Sequence, residues 1–278
     1  MADVVSEQAT SLPREEPQPQ PTVARHRFGI AYLLLAALVG VAVGLVVVFA
    51  SRGGDSHSQA AGPTWSSWKP QQTGTLGVRE IARFVGPQYH LANGHQLVSV
   101  IAGPMYYPTV QGPVPVSAIL VSSGKSGVSQ ERVGVTFPEA GVFYQMCGAA
   151  AQCQIEGTAT PARGTLLLRE VVELALYTFH NMPEADNVVA FLPPAPGVAQ
   201  TDPLYRRAIY LPRGALLPEL AQPLAKTLRS RAKGYTPTSL SQADKNNVLS
   251  ILAGHLFHFD FQQAQDSSAL LQLTPIES

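Results

Sequence analysis

The stretch from Thr165 to Asn181 carries more reactive side-chain types than any other part of the chain. Arg169, Glu173, Tyr177 and His180 recur there at three- and four-residue spacing, which places them on one face of a helix. A guanidinium can hold an anion, a carboxylate and an imidazole can move protons, and a phenol can donate a hydrogen bond. The plainer reading of the same stripe is the wet face of an amphipathic helix. Leu167, Leu168, Val171, Val172, Leu174, Ala175, Leu176 and Phe179 fill the other side, and such a stripe must lie against a sheet. The plainer reading is favoured.

His258 and Asp260 form a second candidate. Residues two apart share one face of a strand, and a carboxylate beside an imidazole can orient a general base or seed a metal site. A solvated strand face is the favoured reading of the pair. His255 falls with Phe257, Phe259 and Phe261 on the opposite face, where a core or edge histidine is expected. His90 and His95 flank an Asn93-Gly94 turn, but two imidazoles alone do not complete a metal site.

Gly124-Lys125-Ser126 looks like the end of a phosphate-binding loop. The first glycine of that pattern falls on Ile119, so the backbone cannot cradle phosphate in the usual way. A Ser/Gly turn is the better reading. Neither a Gly-x-Ser-x-Gly elbow nor a His-Glu-x-x-His helix occurs. No catalytic residue, metal site or cofactor is therefore assigned.

What positions the rest of the chain is an uncharged run from Ile30 to Phe49. Twenty helical residues at about 1.5 Å each match the hydrocarbon thickness of a bilayer. Residues 30–50 therefore read as a single transmembrane helix. Arg14, Arg25, His26 and Arg27 precede it and only Arg52 follows closely, which sets the N-terminus in the cytoplasm and the C-terminal part outside. A cleaved signal peptide ending near Val48-Phe49-Ala50 is the rival reading, although the apolar run is long for one. Gly40 and Gly44 match a helix-pairing motif and raise the prospect of a weak homodimer.

Residues 1–29 read as a disordered, proline-rich cytoplasmic tail, 51–75 as a flexible stalk, and 76–278 as the exported domain. Trp65 and Trp68 in the stalk suit either a membrane interface or packing on the domain, with packing favoured. After residue 50 the chain has 16 basic and 15 acidic residues without a basic patch, which argues against a nucleic-acid partner.

The exported part reads as α+β. Strands are expected at 96–102, 114–122, 132–137, 141–146, 153–156, 188–192, 206–211, 256–263 and 269–273, with short turns that favour a largely antiparallel sheet. Four helices are expected: 78–85, 165–181, a helix at 215–232 broken by Pro223, and one starting at the Ser241 cap. Cys147 and Cys153 are the only cysteines. In an oxidising compartment they are expected to pair across a hairpin; their spacing fits neither a Cys-x-x-Cys redox couple nor a recognised zinc set.

The favoured function is a non-enzymatic, membrane-anchored envelope protein that contacts lipid through residues 30–50 and binds an envelope protein or wall component outside. An exported hydrolase or ligand-binding enzyme with a dispersed site, and a sensor signalling through the helix, are the alternatives.

Overall fold

The longest helix, α2 (Pro161–Asn181), is buried on nearly every side. Its start is set locally: Pro161 occupies the first turn, where its missing N–H costs nothing, and the Thr160 hydroxyl accepts from the Arg163 N–H at 3.2 Å. The computed structural model describes residues 65–109, 112–123, 132–136, 138–229, 234–263 and 268–276. The expected membrane helix at 30–50, the tail, the Gly40/Gly44 pair and Gly124-Lys125-Ser126 lie outside the described residues. Among the described residues no helix is long and apolar enough to cross a membrane.

Before α2 come α1 (Gly74–Val85), β1 (Ser99–Gly103), β2 (Tyr106–Thr109), β3 (Gly112–Ser123), β4 (Arg132–Thr136) and β5 (Gly141–Cys147). After it come β6 (Asn187–Phe191), β7 (Arg207–Pro212), two single-turn helices α3 (Leu217–Leu220) and α4 (Leu224–Thr227), then α5 (Gln242–Ile251), β8 (Leu256–Gln263) and β9 (Ala269–Pro275). The class is α+β, as the sequence suggests.

The sheet is mixed rather than largely antiparallel. Its order is β1-β5-β6-β7-β8-β9-β3-β2, with β4 paired to β3. Two joints are parallel: β5 with β6, in register from Gly141↔Asn187 to Gln145↔Phe191, and β3 with β9. Parallel neighbours need a long crossover. α2 supplies it between β5 and β6, and most of the chain supplies it between β3 and β9. Short turns spoke for antiparallel pairing, but β5 follows β4 closely without pairing with it and joins β1 and β6 instead.

Strands β1 and β2 stand at opposite ends of this order, yet only Pro104 and Met105 separate them in the chain. They act as one bent strand, paired to β5 before the bend and to β3 after it. The sheet therefore curls back on itself. Period-2 alternation then sorts side chains to two cores. Outward residues such as Val188, Ala190, Ile209 and Leu211 pack under the helices, and inward residues such as Phe143, Val189, Phe191, Phe257, Leu271 and Leu273 fill the curl. All five residues of β6 are buried, as expected for a strand covered on both faces.

Other local readings hold or shift. Val78, Ile81, Ala82 and Val85 form the buried face of α1. The Ser241–Asp244 capping box opens α5. Pro223 does break the 215–232 segment, leaving α3 and α4. The strand expected at 153–156 is absent: Ala151–Cys153 is a 3-10 turn with Gln152 and Cys153 at φ 56° and 62°. Left-handed backbone cannot continue a strand.

Candidate binding site

The stripe on α2 is not a wet face. Arg169 and Glu173 are sealed from solvent and Tyr177 is nearly so; only His180 is exposed. Arg169 Nη1 donates to Glu173 Oε2 at 2.9 Å and also to the Tyr89 hydroxyl, which in turn donates to Glu173. Arg169 Nη2 donates to the Arg229 carbonyl at 3.0 Å, and the guanidinium carbon lies 3.6 Å from the centre of the Tyr235 ring. Such a network satisfies the fork of donors that burial would otherwise leave empty.

The electrostatics follow from that enclosure. Burial pushes the Tyr89 phenol well up, and the Glu173 charge adds to it, while Arg169 pulls the other way. Burial alone would pull Arg169 down, but Tyr89 and Glu173 more than offset it, so its net direction is up. The site is a buried ion pair met by Tyr89, the Tyr235 ring and the Arg229 carbonyl.

The lid over the stripe is the segment that starts at Trp65. Trp65 stacks on His180 with ring centres 3.9 Å apart, Trp68 stacks on Phe84 at 4.0 Å, and both meet Tyr177 edge-on. Ser66 Oγ and the Tyr177 hydroxyl are 2.7 Å apart. The packing alternative for the two tryptophans is the one seen. Burial lowers the His180 pKa and raises that of Tyr177.

Glu170 belongs to the same polar arc of α2 as the stripe. Its side chain is fully buried and neither oxygen has a hydrogen-bond partner among the described residues. Burial, followed by the nearby Glu173 charge, pushes its carboxyl well above the usual range, so the neutral acid is the favoured form.

His258 and Asp260 share a strand face as expected, but each is spoken for by Arg206. His258 Nδ1 lies 2.9 Å from the Arg206 carbonyl, and Asp260 Oδ1 accepts from Arg206 Nη1 at 2.5 Å in a pair exposed by about half. His255 Nδ1 contacts the Tyr210 carbonyl at 3.0 Å. His95 meets Glu156 at 2.9 Å on the surface, whereas the His90 backbone N–H bonds Tyr235. Among the described residues no three His, Cys, Asp or Glu groups come together as a metal would need. Cys147 and Cys153 are joined in a disulfide, as the export argument anticipates.

Two concave surfaces lie on either side of the Gly103–Tyr106 bend. One, of about 280 Å³, opens between α1 and the start of β5 and is lined by Val78, Met105, Val116, Phe143 and Met182, with Glu139 and Glu184 among its lining carboxylates. The other, of about 410 Å³, is the open end of the curl, lined by Ile101, Met105, Gln145, Phe191, Phe259 and Phe261 among others. Neither contains Arg169, Glu173, Tyr177, His180, His258 or Asp260. The sequence exposed part of this wall as the Phe257, Phe259, Phe261 alternation. Phe143 and Phe191 carried no local sign, because only the parallel β5–β6 register brings them to the same interior. Comparison with protein families, with curated proteins and with solved structures finds no match to the chain.

Proposed function

We propose that this protein is a membrane-tethered envelope protein whose outer α+β domain is a non-enzymatic binding module, facing a component of the envelope. The observation that carries the reading is a separation within the domain. The carboxylates of the two sequence candidates are taken up by ion pairs, Glu173 with Arg169 in the interior and Asp260 with Arg206 on the surface, while the concave mouth of the curled sheet is apolar and uncharged. Pockets that bind without reacting have such linings, with a few polar groups for orientation. The disulfide supports placement in an oxidising compartment. The run 30–50 supplies the tether, and its flanking charges the direction.

The test has two parts. A C-terminal reporter active only outside the cytoplasm is expected to give signal, and alkaline carbonate is expected to leave the protein in the membrane pellet. A cytoplasmic reporter signal, or release by carbonate, overturns the tethered export. A photo-crosslinking amino acid at Ile101 is expected to capture an envelope component; rapid turnover of a chemically defined substrate with loss at Glu173→Gln would overturn the binding reading.

A further inference from the structure

The mouth of the curl has a continuous wall. Ile101 on β1 is in register with Gln145 on β5, and Gln145 with Phe191 on β6. Phe191 then meets Phe259 edge-on at 4.8 Å, Phe259 meets Phe261 at 5.8 Å, and Phe261 stacks on Tyr107 at 5.1 Å. None of the ten residues lining the space is charged at neutral pH; the Gln145 amide and the Tyr106 hydroxyl are their only polar side-chain groups. Ile101 is 61% exposed and Tyr106 51% exposed, so the apolar wall continues out onto the rim. A soluble surface seldom leaves such groups side by side without an occupant.

Charge selects against most ligands. A phosphate, carboxylate or ammonium placed here would lose its water and gain no counter-charge. The fit is to an apolar chain whose polar end stays outside near Gln145 and Tyr106. The sequence before Trp65 narrows the source. Fifteen residues, Ala50 to Thr64, separate the apolar run from the described domain. Fully extended they reach about 50 Å at roughly 3.5 Å per residue, so in the tethered reading Trp65 stays within that reach of the bilayer. Of the apolar groups that a bilayer offers within that reach, the acyl chain of a lipid is the most abundant. Resting on the tethered reading above, we infer that the open end of the curled sheet is a binding site for the acyl chain of a membrane lipid.

The full-length protein, reconstituted in phosphatidylcholine vesicles, tests this with a trace of phosphatidylcholine bearing a photoactivatable diazirine at the end of one acyl chain. Peptide mapping after illumination is expected to show adducts at 101–106 and 259–261 in addition to residues 30–50. Ile101→Asp and Gln145→Glu alter exposed positions outside both cores and place a carboxylate in the mouth. Each is expected to cut the mouth adducts at least about tenfold, with the adducts at 30–50 unchanged as an internal control. Mouth adducts that are absent, or equal in both variants and the parent, overturn the inference, as does crosslinking of the mouth to protein alone. A parallel arm uses diazirine-labelled palmitic acid with carbonate-released protein. Labelling there that excess palmitate displaces preserves the acyl site while the tether fails; no displaceable labelling in either arm overturns the site itself.

Discussion

Arg169 and Glu173 stand one turn apart on α2 and close an ion pair at 2.9 Å with both side chains shut off from solvent. Removing one partner strands the other charge. Arg169→Met is expected to lower unfolding stability by about 3–5 kcal/mol, read by urea denaturation. Arg169→Met with Glu173→Leu is expected to recover most of that loss, since a matched apolar pair leaves no charge behind. A double variant as unstable as the single one would show that Tyr89 and the Arg229 carbonyl, not the pair, dominate the site.

Glu170 sets a pH dependence of the opposite sense to an ordinary paired carboxylate. Its folded pKa is raised by burial and by the Glu173 charge. The unfolded chain therefore releases the proton first, at about pH 4.3. Below that pH both states are protonated and the folded state carries no penalty; as pH rises toward the folded value, stability is lost. Glu170→Leu is expected to remove this falling limb and to be more stable than the parent at pH 7. Identical slopes of unfolding free energy against pH in both proteins would refute the assignment.

The Cys147–Cys153 bridge closes a loop of only six residues' separation. Its chain-entropy contribution is about 2 kcal/mol. The loop is also tightly built: Gln152 and Cys153 are left-handed, and a Cβ on Gly148 would collide with the Gln154 backbone. Cys147→Ser with Cys153→Ser is expected to lower the midpoint modestly without unfolding the domain. Mass spectrometry of protein alkylated without reductant is expected to show both thiols protected. Gly148→Ala is expected to cost more than the missing bridge.

Gly141 and Asn187 face each other across the parallel joint, and an added Cβ would sit 2.9 Å from Asn187 Oδ1 and 3.3 Å from the Pro138 carbonyl. The Asn187 amide is buried with no hydrogen-bond partner among the described residues. Gly141→Ala is expected to cost about 1–3 kcal/mol through overpacking. Adding Asn187→Ala should recover part of this, because it relieves the collision and breaks no bond. Additive losses in calorimetry would count against the geometry.

Helix α2 shows both the reach and the limit of reading this chain by pattern. Thr160-Pro161 and the 3.6-residue period announce the helix, and the Ser241-to-Asp244 cap announces α5, because both signals are local. The fate of Arg169, Glu173 and Tyr177 is not local. A polar stripe looks the same whether water or Tyr89, Tyr235 and two tryptophans cover it, and those covering residues come from 65–89 and 235. The parallel joints were hidden for the same reason: register between Gln145 and Phe191 is set across a 21-residue helix, beyond any period within either strand. The aromatic alternation of β8 was legible; its opposite wall was not.

The two tryptophans of the chain, Trp65 and Trp68, precede α1 and pack on His180 of α2 and Phe84 of α1. The Trp65 carbonyl also accepts from the Leu224 N–H at 2.8 Å. Tension drawn along the chain from its N-terminal side meets these ring stacks, the Ser66–Tyr177 hydrogen bond and this backbone bond first. Together they hold the segment over Tyr177, and parting them is expected to leave that ring covered by Phe84 alone among these aromatics. Because all indole emission comes from these two residues, a red shift in fluorescence is the expected sign that the segment has parted from α2, which would make the molecule its own strain gauge.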